Sequence, residues 1–151
     1  MTGSPEAGTG RLPGAYRLKR RRLIRPLFDR NRKDVGSVTT GCIRLVYRLV
    51  PPQEFTSKVP LQVGFAPGRG ARTAVVRNRI KRILREVYRV HQHDLIDLFL
   101  QRDDVLTLMV LYRGSTEDAP RCIPKDLPAA LQRLIRQVSK NAPGKDTPDA
   151  Y

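Results

Sequence analysis

Apolar and polar positions divide this chain into segments of distinct period. The sharpest pattern runs from Ala74 to Val90. Val76, Ile80, Ile83, Leu84, Val87 and Val90 recur at helical spacing and form one stripe. Arg77, Asn78, Lys81, Arg82, Arg85 and Arg89 take the other side, with Arg79 on the border. The spacing predicts an amphipathic helix starting near Ala74, with Thr73 as its N-cap. Cys42 to Val50 alternates like a strand, with Ile43, Leu45, Tyr47 and Leu49 facing one way and Arg44, Val46 and Arg48 the other. Lys58 to Ala66 reads as a second strand carrying Val59, Leu61, Val63 and Phe65 on one face, and Pro60 places it at an edge.

Val105 to Tyr112 is a nearly continuous apolar run of strand length, the pattern of a central strand covered on both faces. Lys125 to Lys140 is a second amphipathic helix with Leu127, Leu131, Leu134, Ile135 and Val138 inward, Pro128 in its first turn and Lys125 or Asp126 at its cap. Arg17 to Phe28 reads as a short helix or a basic arm, with Leu23, Ile24, Leu27 and Phe28 apolar. Asp94 to Leu100 continues or restarts the central helix. Segments 30–41 and 115–124 read as loops. A strand, helix, strand order implies a parallel crossover. The expected architecture is one α+β domain with a mixed central sheet over residues 16–140. Polar tails at 1–15 and 141–151 are expected to be disordered.

Charge narrows the function. Of 151 residues, 29 are Lys or Arg against 14 acids, giving a net charge of +15. Such a chain is expected to meet polyanions. No apolar run approaches the ~20 residues that span a bilayer. Neither a signal peptide nor a transit peptide is indicated, and a reducing cytoplasm is the expected compartment. Arg77, Arg79, Lys81 and Arg82 crowd the first turns of the central helix, where the dipole is already positive. Each cation in the first turn destabilises by ~0.3–1 kcal/mol. Glu86 is the first acid on that face. Residues that break local rules without structural gain mark a site, and cations, an amide and a helix N-terminus together suit phosphate oxygens. The plainer reading, a solvated face, fits mixed Lys/Glu helices better than this one.

Catalytic chemistry is poorly represented. There is no Ser/His/Asp or Cys/His constellation. His91, His93 and Asp94 lack the further ligands a zinc site needs. The two cysteines, Cys42 and Cys122, stand far apart in no metal-like spacing, and a disulfide is not expected. The Gly68-Arg69-Gly70 loop is neither a P-loop nor a dinucleotide fingerprint.

Ala74-Val-Val-Arg-Asn-Arg-Ile-Lys-Arg82 closely resembles the signature of the protein component of bacterial ribonuclease P. Elements on both sides follow that family's order, so the resemblance covers roughly Tyr16 to Lys140. It implies an αβββαβα-like fold with an unusual, left-handed βαβ crossover, the first strand being very short or merged with its neighbours. It implies a protein subunit whose partner, the ribonuclease P RNA, carries the Mg²⁺-dependent cleavage that frees the 5′ end of mature tRNA. No side chain of the protein is expected to be catalytic. Arg69, Arg72, Arg77, Asn78, Arg79, Lys81, Arg82 and Arg85 would hold the catalytic RNA. Arg20 to Arg25 would extend the track. Ile24, Phe28 and Tyr47 would line a cleft for the single-stranded 5′ leader of precursor tRNA; the plainer reading of each is a core contact. The loop departs from the family's usual Ser followed by two basic residues, and Arg72 stands where a glycine would precede the helix. The expected assembly is one protein with one RNA, away from membranes. Two other readings fit the basic helix alone: a ribosome-associated or assembly RNA-binding protein, and a duplex DNA binder using the helix in a major groove.

Overall fold

The computed structural model describes residues 16–55 and 59–140; the tails expected at 1–15 and 141–151 lie outside the described residues. Helix α1 (Arg21–Ile24) runs directly into a 3-10 turn, Arg25–Phe28, with Pro26 in its first turn. The chain continues through β1 (Val35–Thr40), β2 (Ile43–Val50), β3 (Leu61–Ala66), α2 (Ala74–His91), α3 (His93–Leu100), β4 (Val105–Tyr112) and α4 (Ala119–Ser139). The four strands are ordered β1-β2-β4-β3. β2 pairs antiparallel with both β1 and β4, whereas β3 and β4 run parallel. The sheet is therefore mixed, and α2 and α3 fill the parallel crossover. β4 has a strand on either side and is buried along almost its whole length, which is why its sequence shows no alternation. β3 is an edge strand, as Pro60 indicates, and its outer side is touched by Arg17 and Leu18, the Leu18 N–H donating to the Val63 carbonyl at 3.0 Å.

Each face of the sheet has its own apolar cluster. Leu45, Tyr47, Leu61, Val63, Leu106, Leu108 and Val110 point toward Ile80, Leu84 and Tyr88 of α2, Leu95 and Phe99 of α3, and Leu127, Leu131 and Leu134 of α4. Each fully buried Leu or Ile there contributes about 1.5–3 kcal/mol. On the other face Leu18, Leu23 and Leu27 cover Val46 and Met109. The second cluster is smaller, because α1 and its 3-10 turn are short.

Three expectations need correction. First, segment 30–41 is not all loop, because β1 occupies its second half; the first strand is six residues long and distinct from β2, neither very short nor merged with its neighbours. Thr40 pairs with Ile43, leaving Gly41-Cys42 as a two-residue hairpin turn, and Gly41 supplies the positive φ of +56° that such turns require. Second, α4 begins at Ala119 with Asp118 at its N-cap, not near Lys125, so Pro124 and Pro128 both lie inside it and neither Lys125 nor Asp126 is the cap. Ala119, Ile123 and Leu127 continue the buried stripe N-terminally at i, i+4 spacing, and burying that turn offsets the hydrogen bond that Pro124 removes. Third, Val90 is 57% exposed and Tyr88 is fully buried. Six residues past Leu84 is roughly 240° round the helix, off the stripe, whereas Tyr88 sits one turn on from Leu84. Its ring meets Phe65 edge-on, with centroids 5.6 Å apart. Among the described residues no helix is long and apolar enough to cross a membrane.

Candidate nucleic-acid interface

The start of α2 forms as its sequence predicts. Thr73 is extended, and its Oγ1 accepts from the Val76 N–H at 3.2 Å. No acid stands in the first turn. The apolar stripe of α2 packs on β3 and α4 and turns the opposite side outward. Arg77, Asn78, Arg79 and Arg82 are exposed there, with Lys81 and Arg85 half-buried. Among the described residues Arg77, Arg79, Lys81 and Arg82 make no salt bridge to a carboxylate. Arg77 instead donates from Nη1 to the carbonyls of Ala71 (3.3 Å) and Arg72 (3.1 Å), so its guanidinium lies against the loop before the helix. Arg69 and Arg72 are exposed in that loop. Gly68 has a φ of +91°, and a Cβ there would strike the Tyr112 carbonyl, so this glycine is needed for the loop to pass over the end of β4. Ala71 is buried and anchors the loop. The result is a rigidly mounted cationic surface with a helix N-terminus at one end, suited to several phosphates at once.

The cleft residues divide. Ile24 is half-buried against the Leu23, Leu27 and Val46 cluster, and Phe28 stands 53% exposed beside it. Tyr47 does not join them. It is buried on the opposite face of the sheet, under α4, where its phenol oxygen accepts from Gln137 Nε2 at 2.6 Å. Burial raises its pKa above the ordinary tyrosine value. Neighbouring residues of a strand point to opposite faces, so the β2 residue on the Ile24 and Phe28 side is Val46. The alternation in β2 already puts Tyr47 and Val46 on opposite faces; the family resemblance assigned Tyr47 itself to the cleft. Beyond Val46 on the same face lies the exposed Arg44, flanked in register by Thr39 and Leu111. Arg44, Ser37 and Thr39 are the surface residues of this face that the sequence reading missed. The strand's polar face was visible, but nothing local showed that α1 would leave this end uncovered.

Other groups are satisfied internally. Arg48, on the same strand and face as Arg44, is 6% exposed. It pairs with Asp34 at 2.8 Å and with Glu54 at 3.1 Å. The Arg32 and then the Arg48 hydrogen bonds hold the Asp34 carboxyl well below the usual carboxylate range. His91 ends α2, its Nδ1 3.0 Å from the Val87 carbonyl, and His93 opens α3. The cysteine spacing misleads: Cys42 Sγ, Cys122 Sγ and an Asp126 oxygen lie within 4.8 Å of one another. Two thiols and one carboxylate do not suit Mg²⁺, which demands oxygen ligands in octahedral array. No step involving that ion can be derived from these side chains.

Comparison with known proteins identifies the family. The family model described as Ribonuclease P matches residues 12–139. The chain is 29% identical over 141 residues to a protein of Chlorobaculum tepidum named ribonuclease P protein component, covering 90% of this chain and 88% of that one. It is 34% identical over 89 residues to a Desulfovibrio desulfuricans protein of the same name, covering 58% and 62% of the two chains. In fold it is similar to the Staphylococcus aureus RNase P protein, with a TM-score of 0.51, 20% identity, and 79% and 94% of the two chains covered. With the family match spanning helices, sheet and basic face alike, the chain belongs to the ribonuclease P protein family.

Proposed function

We propose that this chain binds the catalytic RNA of ribonuclease P through the outer face of α2, and that the α1 side of the sheet takes the 5′ leader of precursor tRNA. The observation that carries the reading is the exposed Arg77-Asn78-Arg79 run with Arg82, held on a buried stripe, its arginines unpaired with any carboxylate among the described residues. The guanidinium groups suit bidentate binding of phosphate, and Asn78 suits a 2′-hydroxyl. Arg69, Arg72, Lys81 and Arg85 extend the same surface. For the leader, Phe28 offers an exposed ring, with Ile24 beside it and Arg44 as a cation. Stacking one base on such a ring contributes about 1–3 kcal/mol. Mg²⁺ would be held by the RNA, where it supplies the hydrolytic chemistry; this chain's residues bind and position. One protein per RNA, acting in the cytoplasm, fits the reading.

Reconstitution tests it. Purified protein added to ribonuclease P RNA is expected to raise 5′-end maturation at low salt, and the complex is expected to bind precursor tRNA more tightly than mature tRNA. Phe28→Ala should narrow that preference without loss of fold. Equal affinity for the two tRNAs in the unmodified complex would remove the leader assignment and leave plain RNA binding, as in an assembly factor. No rise in maturation would remove the ribonuclease P role itself.

A further inference from the structure

The hairpin turn between β1 and β2 meets the N-terminal turns of α4 at a cluster that the RNA-binding reading does not use. Cys42 of the turn is buried, Cys122 of α4 is half-buried, and Asp126 lies one helical turn beyond Cys122. Asp126 Oδ2 accepts from the Cys42 backbone N–H at 2.9 Å and from the Cys122 thiol at 3.4 Å. The Cys42 carbonyl in turn accepts from the Arg113 N–H at 2.8 Å, so the end of β4 is tied to the same point. Gly41 fits beside it, because its φ is +56° and a Cβ there would press on the Asp126 carboxylate.

We propose that Cys42, Cys122 and Asp126 form a binding site for a thiophilic divalent cation of the zinc class, with water as fourth ligand. Zn–S bonds of about 2.3 Å at tetrahedral angles set ligand sulfurs roughly 3.7 Å apart. All three ligand atoms already lie within 4.8 Å of one another, so closure needs only small side-chain rotations. The Cys42 N–H orients the carboxylate from behind, as groups outside a metal's ligand set commonly do. Cys122 is open enough to solvent to admit an ion. Binding breaks two S–H bonds, forms two S–Zn bonds and releases two protons to the buffer. The resulting centre has two thiolates, one carboxylate and one dication, a net charge of −1, and sits in a chain of net charge +15 that favours an anionic centre.

The carboxylate is what separates this from a thiol–disulfide pair. A disulfide needs no third group. Burial, with hydrogen bonds to Cys122 and Asp126, pushes the Cys42 thiol up, away from the thiolate that exchange requires. A metal cation reverses that balance, since a coordinated thiol is deprotonated outright. The bound ion would staple the β1–β2 turn to α4.

The test uses the full chain, reduced and stripped with chelator, then titrated with Zn²⁺ alone and, for spectroscopy, Co²⁺ alone. The expected result is one Zn²⁺ per chain, a rise in Tm, protection of both thiols from alkylation, and a thiolate-to-cobalt charge-transfer band. Cys122→Ser and Asp126→Asn, the latter keeping an acceptor for the Cys42 N–H, should each weaken Zn²⁺ by at least about tenfold. Circular dichroism of both metal-free variants checks that they fold. No stoichiometric zinc at micromolar metal would overturn the proposal. So would binding unchanged in Cys122→Ser, which would point to His91 and His93, or a Cys42–Cys122 disulfide that forms in air and leaves the chain without zinc affinity after reduction.

Discussion

Arg48 and the arginines of α2 are the same residue type put to opposite uses. Arg48 lies on β2 with its side chain 7% exposed, clasped by Asp34 and Glu54. Arg77, Arg79 and Arg82 stand on a helix face with no carboxylate partner among the described residues. The Arg48 charge is spent inside the protein, where it joins the segment before β1 to the turn after β2. The α2 charges stand close together at the N-terminal end of their own helix and meet no carboxylate among the described residues, Arg77 reaching only the Ala71 and Arg72 carbonyls. Neither set is distinguished by composition. The element on which each arginine sits, and what packs against it, makes the difference.

The contrast can be broken most forcefully at α2. Replacing Arg77 and Arg79 together with Ala should weaken binding to ribonuclease P RNA by up to about a hundredfold at low salt, roughly 2.7 kcal/mol. The slope of log affinity against log salt should fall by roughly one for each phosphate that is no longer neutralised. The urea midpoint should hold or rise slightly, since removing a cation near the helix N-terminus relieves at most about 0.3–1 kcal/mol. Filter binding across a salt series and a urea melt check both halves; an unchanged salt slope would mean that these residues touch no phosphate.

Arg48→Met should do the reverse. Loss of about 2 kcal/mol in urea unfolding is expected, with the RNA salt slope preserved. The effect stays below that of a fully buried pair, because Asp34 and Glu54 have side chains 46% and 49% exposed and are not stranded when Arg48 goes. A smaller loss, about 1 kcal/mol, is expected for Tyr47→Phe, which removes the phenol that accepts from Gln137. Preference for precursor over mature tRNA should be untouched by it. If that preference fell while stability held, Tyr47 would have to reach the leader after all.

The smallest effect is that of pH. Arg32 and Arg48 depress the Asp34 pKa in the folded chain. Stability from this group is therefore fully present above its unfolded pKa of about 4 and is lost as pH falls from there through the lowered folded value. The stability difference between the unmodified chain and Asp34→Asn should shrink through that window in urea melts. A difference that persisted at the lowest pH would mean that ionisation of Asp34 is not what holds this corner.

The sequence by itself determined the central helix, its Thr73 cap and its outward cations, because helical period and capping are local properties written within a few residues of each other. It also determined the central strand β4, whose unbroken apolar run has few other uses, and the Arg77-Asn78-Arg79 run that marks the family. Tertiary structure decided what depends on distant partners. β1 exists because β2 lies beside a segment that reads as loop in isolation, with Gly36 making room for the Tyr47 ring. The first turns of α4 form despite Pro124 because Ala119 and Ile123 gain burial there. Which face of the sheet holds Tyr47, and that Cys42 meets Cys122 and Asp126, follow from pairing register and helix docking. Those choices are made between residues far apart along the chain, and no local period records them.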